Sequence, residues 1–179
     1  MNQGYSICGQ WKILEHDLFG NLISEHESPN LVVNSGRDLT CFFLLGLGGA
    51  SSIVALGVGA SSTAVDATQT QLVHELIGEP TRKALTNTSN TSLTQSDFTL
   101  DTTVVSGTTY YKKIVLQSQY AAGDLNNGNT FNEYGLFTTA VNPLTPTASS
   151  GIMFNRFVDP APIQKTASNS VTVQITLRF

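Results

Sequence analysis

The sequence predicts a mostly β protein, an antiparallel β-sandwich or barrel-like fold with one short helix. About nine short segments rich in β-branched and aromatic residues are separated by turn residues, which is typical of such folds. The last segment, residues 171–179, strictly alternates apolar and polar residues, as a strand with one buried face requires. Only residues 36–45 have a convincing helical pattern.

The chain length predicts one main domain. A chain of 179 residues can bury a core without covalent staples. We predict that residues 1–29 form an N-terminal β-hairpin extension and that residues 30–179 form the β-sandwich domain. The first residues lack a basic region followed by an apolar one, so we expect no signal peptide and a chain that stays in the cytoplasm where it is made.

A Gly-Asn turn signal lies between two extended runs, residues 5–17 and 23–27, and predicts the hairpin. If Gly-Asn is the two-residue loop, each histidine of the hairpin faces a carboxylate of the other strand. We therefore predict structural cross-strand pairs rather than a metal or acid–base site. The pairs are His16 with Glu25 and Glu15 with His26.

The apolar stretch 39–60 is long enough to be weighed as a membrane span. Its five glycines between positions 46 and 59 and its two adjacent serines favour a helix over 36–45 followed by a buried strand over 53–58. Ser35 is expected to cap the helix, with Asp38 answering in a capping-box arrangement. We predict no membrane crossing, and the span remains the alternative.

The composition favours contacts with other proteins over contacts with nucleic acid. Charged residues make up 12% of the chain, the net charge is −4, and Lys and Arg are scattered singly, so no basic surface for phosphates is predicted. Roughly three residues in ten are Thr, Ser or Asn, which suits uncharged sheet surfaces.

The sequence offers no set of metal ligands and no cofactor motif. Cys8 and Cys41 stand apart and are interpreted as buried free thiols. His74 has no second ligand at a suitable spacing, and the turn at residues 123–129 lacks the ligand order of an EF-hand, although its Asp and Asn residues raise calcium as an alternative to a plain turn.

The most distinctive segment of the chain is residues 132–137, which combine a glutamate, a glycine and two adjacent apolar residues. We expect Gly135 to let the backbone bend or pack closely, while the two apolar residues after it fill the core. Glu133 has two candidate cations, Arg82 and Arg156, and an exposed Glu133 is an equally open alternative. The candidate structural motif consists of Asn132, Glu133, Gly135, Leu136, Phe137 and Arg156.

The order of several short segments resembles that of small tail, neck and capsid-associated virion proteins of tailed bacteriophages. It is similar to the N-terminal domain by which tail fibres of contractile phages attach to the baseplate. The resemblance covers most of residues 30–179 and depends on the order of the segments rather than on any one of them. They are residues 30–36, 56–59, 72–75, 132–137, 155–157 and the closing strand.

The resemblance implies a non-enzymatic structural subunit of a virion, made in the host cytoplasm. Such a subunit would serve as a tail or neck adaptor or as a fibre-attachment protein. Its expected partners are copies of itself, in a trimer or higher ring, and other virion proteins. A capsid decoration (cement) protein is an alternative, and a complete fibre is not expected because no shaft follows Phe179.

A glycan-binding module and an enzyme are two further functional classes to which a β-rich chain can belong. A module that binds a host surface glycan would use exposed aromatic residues, with Tyr5, Trp11, Tyr110, Tyr111 and Tyr120 as candidates. An enzyme with paired carboxylates has little support, since the chain has only 13 acidic residues and no Ser-His-Asp order, nucleophile elbow or phosphate-binding glycine loop. We therefore predict that the protein is not an enzyme.

Overall fold

The computed structural model describes residues 7–45, 52–78, 80–102, 104, 105, 107–109, 112–138 and 151–179. These residues form a mostly β, sandwich-like structure of two antiparallel sheets with one α-helix, not a closed barrel. The predicted fold class is confirmed in its sandwich form.

Each of the two sheets has five strands. Sheet A contains, in spatial order, β2 (Leu22–Pro29), β1 (Cys8–Asp17), β12 (Asn169–Arg178), β9 (Lys112–Tyr120) and β6 (Thr99–Leu100). Sheet B contains β3 (Leu31–Val32), β11 (Met153–Gln164), β10 (Thr130–Phe137), β4 (Ala55–Gly59) and β5 (Arg82–Ala84). A ribbon of β7 (Val104–Val105) and β8 (Thr108–Thr109), a 3-10 turn (Gln95–Asp97) and helix α1 (Asn34–Leu45) complete the described elements.

The core lies between the two sheets, and the alternation of the last strand is confirmed. The odd-numbered apolar residues of β12 are buried in one hydrophobic cluster with residues of both sheets. At its centre the ring centroids of Trp11 and Tyr134 lie 5.8 and 5.9 Å from the ring centroid of Phe157. Aromatic packing of this kind adds to the burial of apolar surface.

The hairpin that we predicted as an N-terminal extension is part of the sandwich. Strand β1 pairs with β12 along its entire length, from Cys8 opposite Arg178 to Asp17 opposite Asn169. Trp11 and Ile13 are fully buried in the same cluster as the β12 residues. The hairpin therefore supplies two strands of sheet A and a share of the core.

The hairpin turn is longer than predicted. The amide of Asp17 donates to the carbonyl oxygen of Asn21 at 2.9 Å, so the loop consists of residues 18–20. Gly20 has φ +83°, the left-handed conformation that closes a three-residue hairpin loop after a type I turn. A glycine fits this position because a residue with a Cβ atom adopts a positive φ only with backbone strain.

The longer turn shifts the strand register, so both predicted cross-strand pairs are wrong. Each histidine of the hairpin lies opposite an apolar residue, and neither glutamate lies opposite a histidine. The observed pairs are His16 with Leu22, His26 with Ile13, Glu15 with Ser24 and Glu25 with Leu14. Turn geometry sets the register next to the loop, and a β-bulge between Glu15 and His16 shifts it by one residue along the rest of the hairpin.

Helix α1 begins at Asn34, so the predicted capping role of Ser35 is wrong. Ser35 lies inside the first turn, and its hydroxyl donates to the carbonyl oxygen of Met153 at 2.7 Å. Gly36 is required for the close packing of this turn on β11, because a Cβ atom would lie 2.0 Å from the carbonyl oxygen of Phe154. The helix thus starts where it contacts sheet B.

The apolar stretch 39–60 contains the end of α1 and all of β4. Helix and buried strand were both predicted, with the strand two residues earlier than its observed start at Ala55. Residues 46–51, including the predicted glycine-rich helix end, lie outside the described residues. Of the helices described, none has the length and apolar character needed to cross a membrane.

Candidate functional site: a loop held by two buried ion pairs

The candidate site lies on the face of sheet B that points away from sheet A. Tyr134 and Leu136 of β10 belong to the core between the sheets, so the alternating residue Glu133 points to the opposite face. There the chain that connects β4 to β5 crosses the sheet. We call residues 60–78 of this connection the clamped loop.

Glu133 and Arg156 form an ion pair with both side chains at 0% exposure. Strand β10 supplies the glutamate and the neighbouring β11 supplies the arginine, which lies opposite Gly135. The Nε and Nη2 atoms of Arg156 lie 2.8 and 2.7 Å from Oε2 of Glu133. Both contacts go to the same carboxylate oxygen, and only the contact of Nε has hydrogen-bond geometry.

The Glu133 carboxylate also accepts hydrogen bonds from backbone amides of the clamped loop. Oε1 accepts from the amide of His74 at 2.6 Å and from the amide of Ser61 at 3.4 Å. Oε2 also accepts from the amide of Val73 at 3.0 Å. Three backbone amides of the loop are thereby satisfied at a buried position, where an unmade hydrogen bond costs free energy.

Arg156 holds the other side of the same loop. Its Nη1 donates to the carbonyl oxygens of Thr63 and Ala64 at 3.0 and 3.3 Å and to Oε1 of Gln69 at 3.0 Å. One ion pair thus contacts the beginning, middle and end of residues 61–74. It fixes the path of a segment that has no regular secondary structure of its own.

A second ion pair, Glu75 with Arg82, lies at the end of the clamped loop. The Nε and Nη2 atoms of Arg82 donate to the two carboxylate oxygens at 2.5 and 2.9 Å, a bidentate arrangement. The guanidinium carbon also lies 3.5 Å from the centroid of the Phe137 ring, which adds a cation–π contact. Both side chains are largely buried.

Two glycines of β4 leave the space that the two carboxylates occupy. A Cβ atom on Gly57 would lie 2.9 Å from Oε1 of Glu75, and one on Gly59 would lie 2.5 Å from Oε1 of Glu133. Gly135 of β10 is also tightly surrounded, with a Cβ position 3.1 Å from a side-chain carbon of Leu72. The glycines therefore mark close approach of the loop to the sheet.

The structure brings five of the six residues of the predicted motif to this face of sheet B, whereas Leu136 packs in the core between the sheets. Leu136 and Phe137 are fully buried, and the Asn132 carboxamide, oriented to satisfy both groups, donates to the Asp159 carbonyl and accepts from the Ser62 amide. Of the two cations considered for Glu133, the structure pairs it with Arg156. Arg82 pairs instead with Glu75, and the alternative of an exposed Glu133 is wrong.

The charged residues of the hairpin make other contacts than those predicted. Glu15 accepts from the Asn169 side chain at 2.6 Å and from the Ser24 hydroxyl at 3.0 Å. Nδ1 of His26 lies 3.4 Å from the buried carboxylate of Asp159, and Nζ of Lys12 lies 2.6 Å from Glu25. These contacts tie the hairpin to sheet B and to itself.

Sequence reasoning missed the loop residues that the ion pair holds, because most of them take part through backbone atoms that any residue carries. It also missed Lys165, which is fully buried. Its Nζ donates to the carbonyl oxygens of Ala122 and Thr166 at 3.1 and 2.8 Å. Burial lowers the pKa of this ammonium, and the negative charge of Asp124 partly opposes that shift. For the close approach of the loop to the sheet, the alternating glycines of β4 were an available signal.

The arrangement is suited to holding backbone in place. The two carboxylates and two guanidinium groups are directed at each other and at the loop, beneath a covering of protein. In the described part of the chain, no group of three or more His, Cys, Asp or Glu could hold a metal ion.

Both cysteines are free, and the expectation that both are buried is wrong, because Cys41 is exposed and Cys8 is partly exposed.

Two of the candidate aromatic residues for glycan binding are unsuitable. Trp11 and Tyr120 are both 0% exposed and belong to the hydrophobic core. Tyr5, Tyr110 and Tyr111 lie outside the described residues. The described aromatic candidates therefore have a packing role.

No family model, curated protein or solved structure matches this chain. The resemblance to phage virion proteins therefore stays an expectation from the sequence. The fold and the geometry of the clamped loop are the basis for a functional proposal.

Proposed function

We propose that the chain is a structural subunit of a tailed-phage virion, serving as a tail or neck adaptor or fibre-attachment protein through protein–protein contacts. The observation that carries this proposal is the buried Glu133–Arg156 pair, whose further hydrogen bonds go to the clamped loop. Charged groups in an enzyme's active site face a substrate. Here they hold a surface segment in one conformation.

A fixed loop is useful for assembly. Binding costs free energy when mobile segments must be ordered, and a loop that is already held avoids that cost. The clamped loop carries apolar side chains on its outer side, with Val73 51% and Ile77 53% exposed. An ordered loop with exposed apolar residues is a suitable surface for a neighbouring subunit.

Four of the six segments that resemble phage virion proteins contribute to the clamp. They are far apart in the chain, yet they meet in space at the two ion pairs. Residues 56–59 contribute both glycines of β4, residues 72–75 the amides and Glu75, residues 132–137 Glu133, and residues 155–157 Arg156. This convergence gives the resemblance a physical basis.

A subunit of this kind would act in several copies. Virion rings and tails have closed symmetry, so we propose a trimer or higher ring that contacts other virion proteins. The protein would be made in the host cytoplasm and would end in the particle. Its work would be adhesion between subunits, without turnover of a substrate.

The composition of purified particles tests this proposal. Particles of the phage or prophage whose genome encodes the chain would be separated into heads and tails, and each fraction analysed by quantitative mass spectrometry. We expect the chain in the tail fraction at a fixed copy number, and as an oligomer in native mass measurements. Its presence on heads alone would instead support the capsid decoration alternative.

A variant pair sharpens the test. Glu133→Ala should prevent incorporation into particles because the loop is released, whereas Asp38→Asn, a change of an exposed carboxylate on α1, should be incorporated normally. A monomer that is absent from particles, or a gene found in no phage or prophage genome, would overturn the proposal.

A further inference from the structure

The described part of the sandwich has one long free edge. Three of the four outer strands of the sheets are short: β3 and β6 have two residues each and β5 has three. Strand β2 has eight. Long edge strands present a row of unpaired backbone groups, and proteins usually shorten or cover them.

The backbone of β2 alternates between its partner strand and the free edge. The amide of Asn30 donates to the carbonyl oxygen of Gly9, which places the even-numbered residues of β2 in bonded pairs with β1. Glu25 and Glu27 lie between these pairs. Their amides and carbonyl groups point away from β1, and no described strand lies on that side.

This edge is held firmly in place from within. The hydroxyl of Ser24 donates to Glu15 at 3.0 Å, and His26 contacts the buried Asp159 of sheet B. The edge is therefore ordered before any partner arrives, which lowers the cost of adding a strand. Apolar residues are exposed near the start of this edge, with Phe19 of the turn 90% exposed and Ile23 of β2 56% exposed.

The charges along the edge determine what can pair with it. Nζ of Lys12 lies 2.6 Å from Glu25 and 3.4 Å from Glu27, so two carboxylates share one ammonium group. One negative charge is left without a cation among these three residues. Pairing β2 with β2 of a second copy, in a register centred on the strand, sets Glu25 against Glu25 or Glu27 of that copy. Like charges opposite each other destabilise a sheet, so self-pairing is disfavoured.

We propose that the free edge of β2 binds an extended segment of a partner protein as an added strand, with basic side chains beside Glu25 and Glu27 and an apolar side chain near Ile23. Backbone hydrogen bonds would supply affinity, and the carboxylates would select a basic strand over a neutral or acidic one. This inference names the partner chemistry for the proposed assembly role and rests on that role only for the partner being a virion protein.

Binding of two synthetic peptides to the full chain tests the proposal. Both would be capped nine-residue peptides with alternating Val and Thr, one carrying two lysines at alternate positions and the other two glutamates there. Fluorescence anisotropy would measure affinity, and NMR amide shifts would locate the bound peptide. We expect the basic peptide to bind about tenfold more tightly than the acidic one, with a preference that weakens in salt, and the shifts to lie on β2 and the turn.

Charge reversal supplies the control. Glu25→Lys with Glu27→Lys should reverse the preference, while Asp38→Lys, a change of an exposed carboxylate on α1, should leave it intact. Equal binding of both peptides, binding of neither, or shifts confined to other strands of the unchanged protein would overturn the inference. Because this test needs no particles, its failure is separate from absence of the chain in virions, which overturns the assembly role alone.

Discussion

The two sheets of this protein each contain an ion pair that joins neighbouring strands, and the two pairs differ in almost every physical respect. In sheet B the Glu133 and Arg156 side chains are 0% exposed, whereas in sheet A those of Lys12 and Glu25 are 32% and 40% exposed. Water solvates the second pair and is excluded from the first. A buried pair is costly to form and costly to break, while an exposed pair contributes little either way.

The pairs also differ in what they connect. Lys12 and Glu25 join two strands that backbone hydrogen bonds already hold together. Glu133 and Arg156 join β10, β11 and the clamped loop, whose path depends on their polar atoms. An ion pair of the same charges therefore determines the path of a loop where it is buried and connects distant segments. Where it is exposed and joins strands that are already paired, it contributes little to the fold.

Removing one member of the buried pair should have the largest effect. Glu133→Ala leaves the Arg156 charge buried without its partner and three loop amides without an acceptor. We expect the free energy of unfolding to fall by about 3–5 kcal/mol, as measured by urea denaturation. A loss below about 1 kcal/mol would show that the pair is not the centre of the clamp.

A double substitution separates stability from loop order. Glu133→Leu with Arg156→Met replaces the charges with apolar side chains, so much of the lost stability should return. The amides of Val73 and His74 should nevertheless exchange with solvent hydrogen much faster than in the native chain, because their acceptor is gone. Unchanged protection of these amides would contradict the role assigned to the pair.

A substitution at Gly59, which lies beneath the buried pair, should destabilise the clamp less than the loss of Glu133. Gly59→Ala places a Cβ atom 2.5 Å from both Oε1 of Glu133 and the carbonyl oxygen of His74. We expect a loss of about 1–3 kcal/mol in thermal or chemical unfolding. Gly123→Ala is the matched control, since a Cβ atom there meets nothing within 4 Å, and it should leave stability nearly unchanged.

Breaking the exposed pair should have a small effect that salt removes. Glu25→Gln should lower stability by less than about 1 kcal/mol at low salt, and by less still at high salt. The hydrogen bond that Lys12 donates to Glu25 raises the pKa of Lys12 above its ordinary 10.5, despite the opposing effect of burial. The contribution is therefore complete below pH 10.5 and is lost as the pH rises through the raised value. Denaturation across that range, at two salt concentrations, would detect it.

The hairpin turn should respond to acid in the opposite direction. The side chain of Asn21 and then its amide donate to Asp17 and lower the pKa of that carboxyl below its ordinary 3.8. Its contribution is present above pH 3.8 and is lost as the pH falls through the lowered value. We expect the protection factors of the Phe19 and Asn21 amides, which correct exchange rates for the intrinsic effect of pH, to fall in acid, and Asp17→Asn should show low protection factors at both ends of the range. A pH-independent turn in the native chain would contradict this.

Much of the candidate site could be predicted as a set of residues but not as a set of contacts. The close packing at the glycine and the burial of the apolar pair in residues 132–137 were assigned from residue type alone, whereas Glu133 was left open between an ion pair and an exposed position. The choice between Arg82 and Arg156 needed the spatial order of β4, β10 and β11, which no local pattern carries. Trp11 and Tyr120 show the same limit, since an aromatic side chain in a strand can face either the core or solvent.

The sequence by itself determined the β-rich class, the alternation that buries one face of β12 and the positions of the hairpin and helix. These properties are local, because strand period, turn residues and helix length act over a few neighbouring residues. Tertiary structure alone decided the partner of Glu133 and the burial of Lys165, because both depend on which distant segments share a surface. The hairpin register was decided inside the hairpin, by one more residue in the turn and by a β-bulge that the turn residues did not predict.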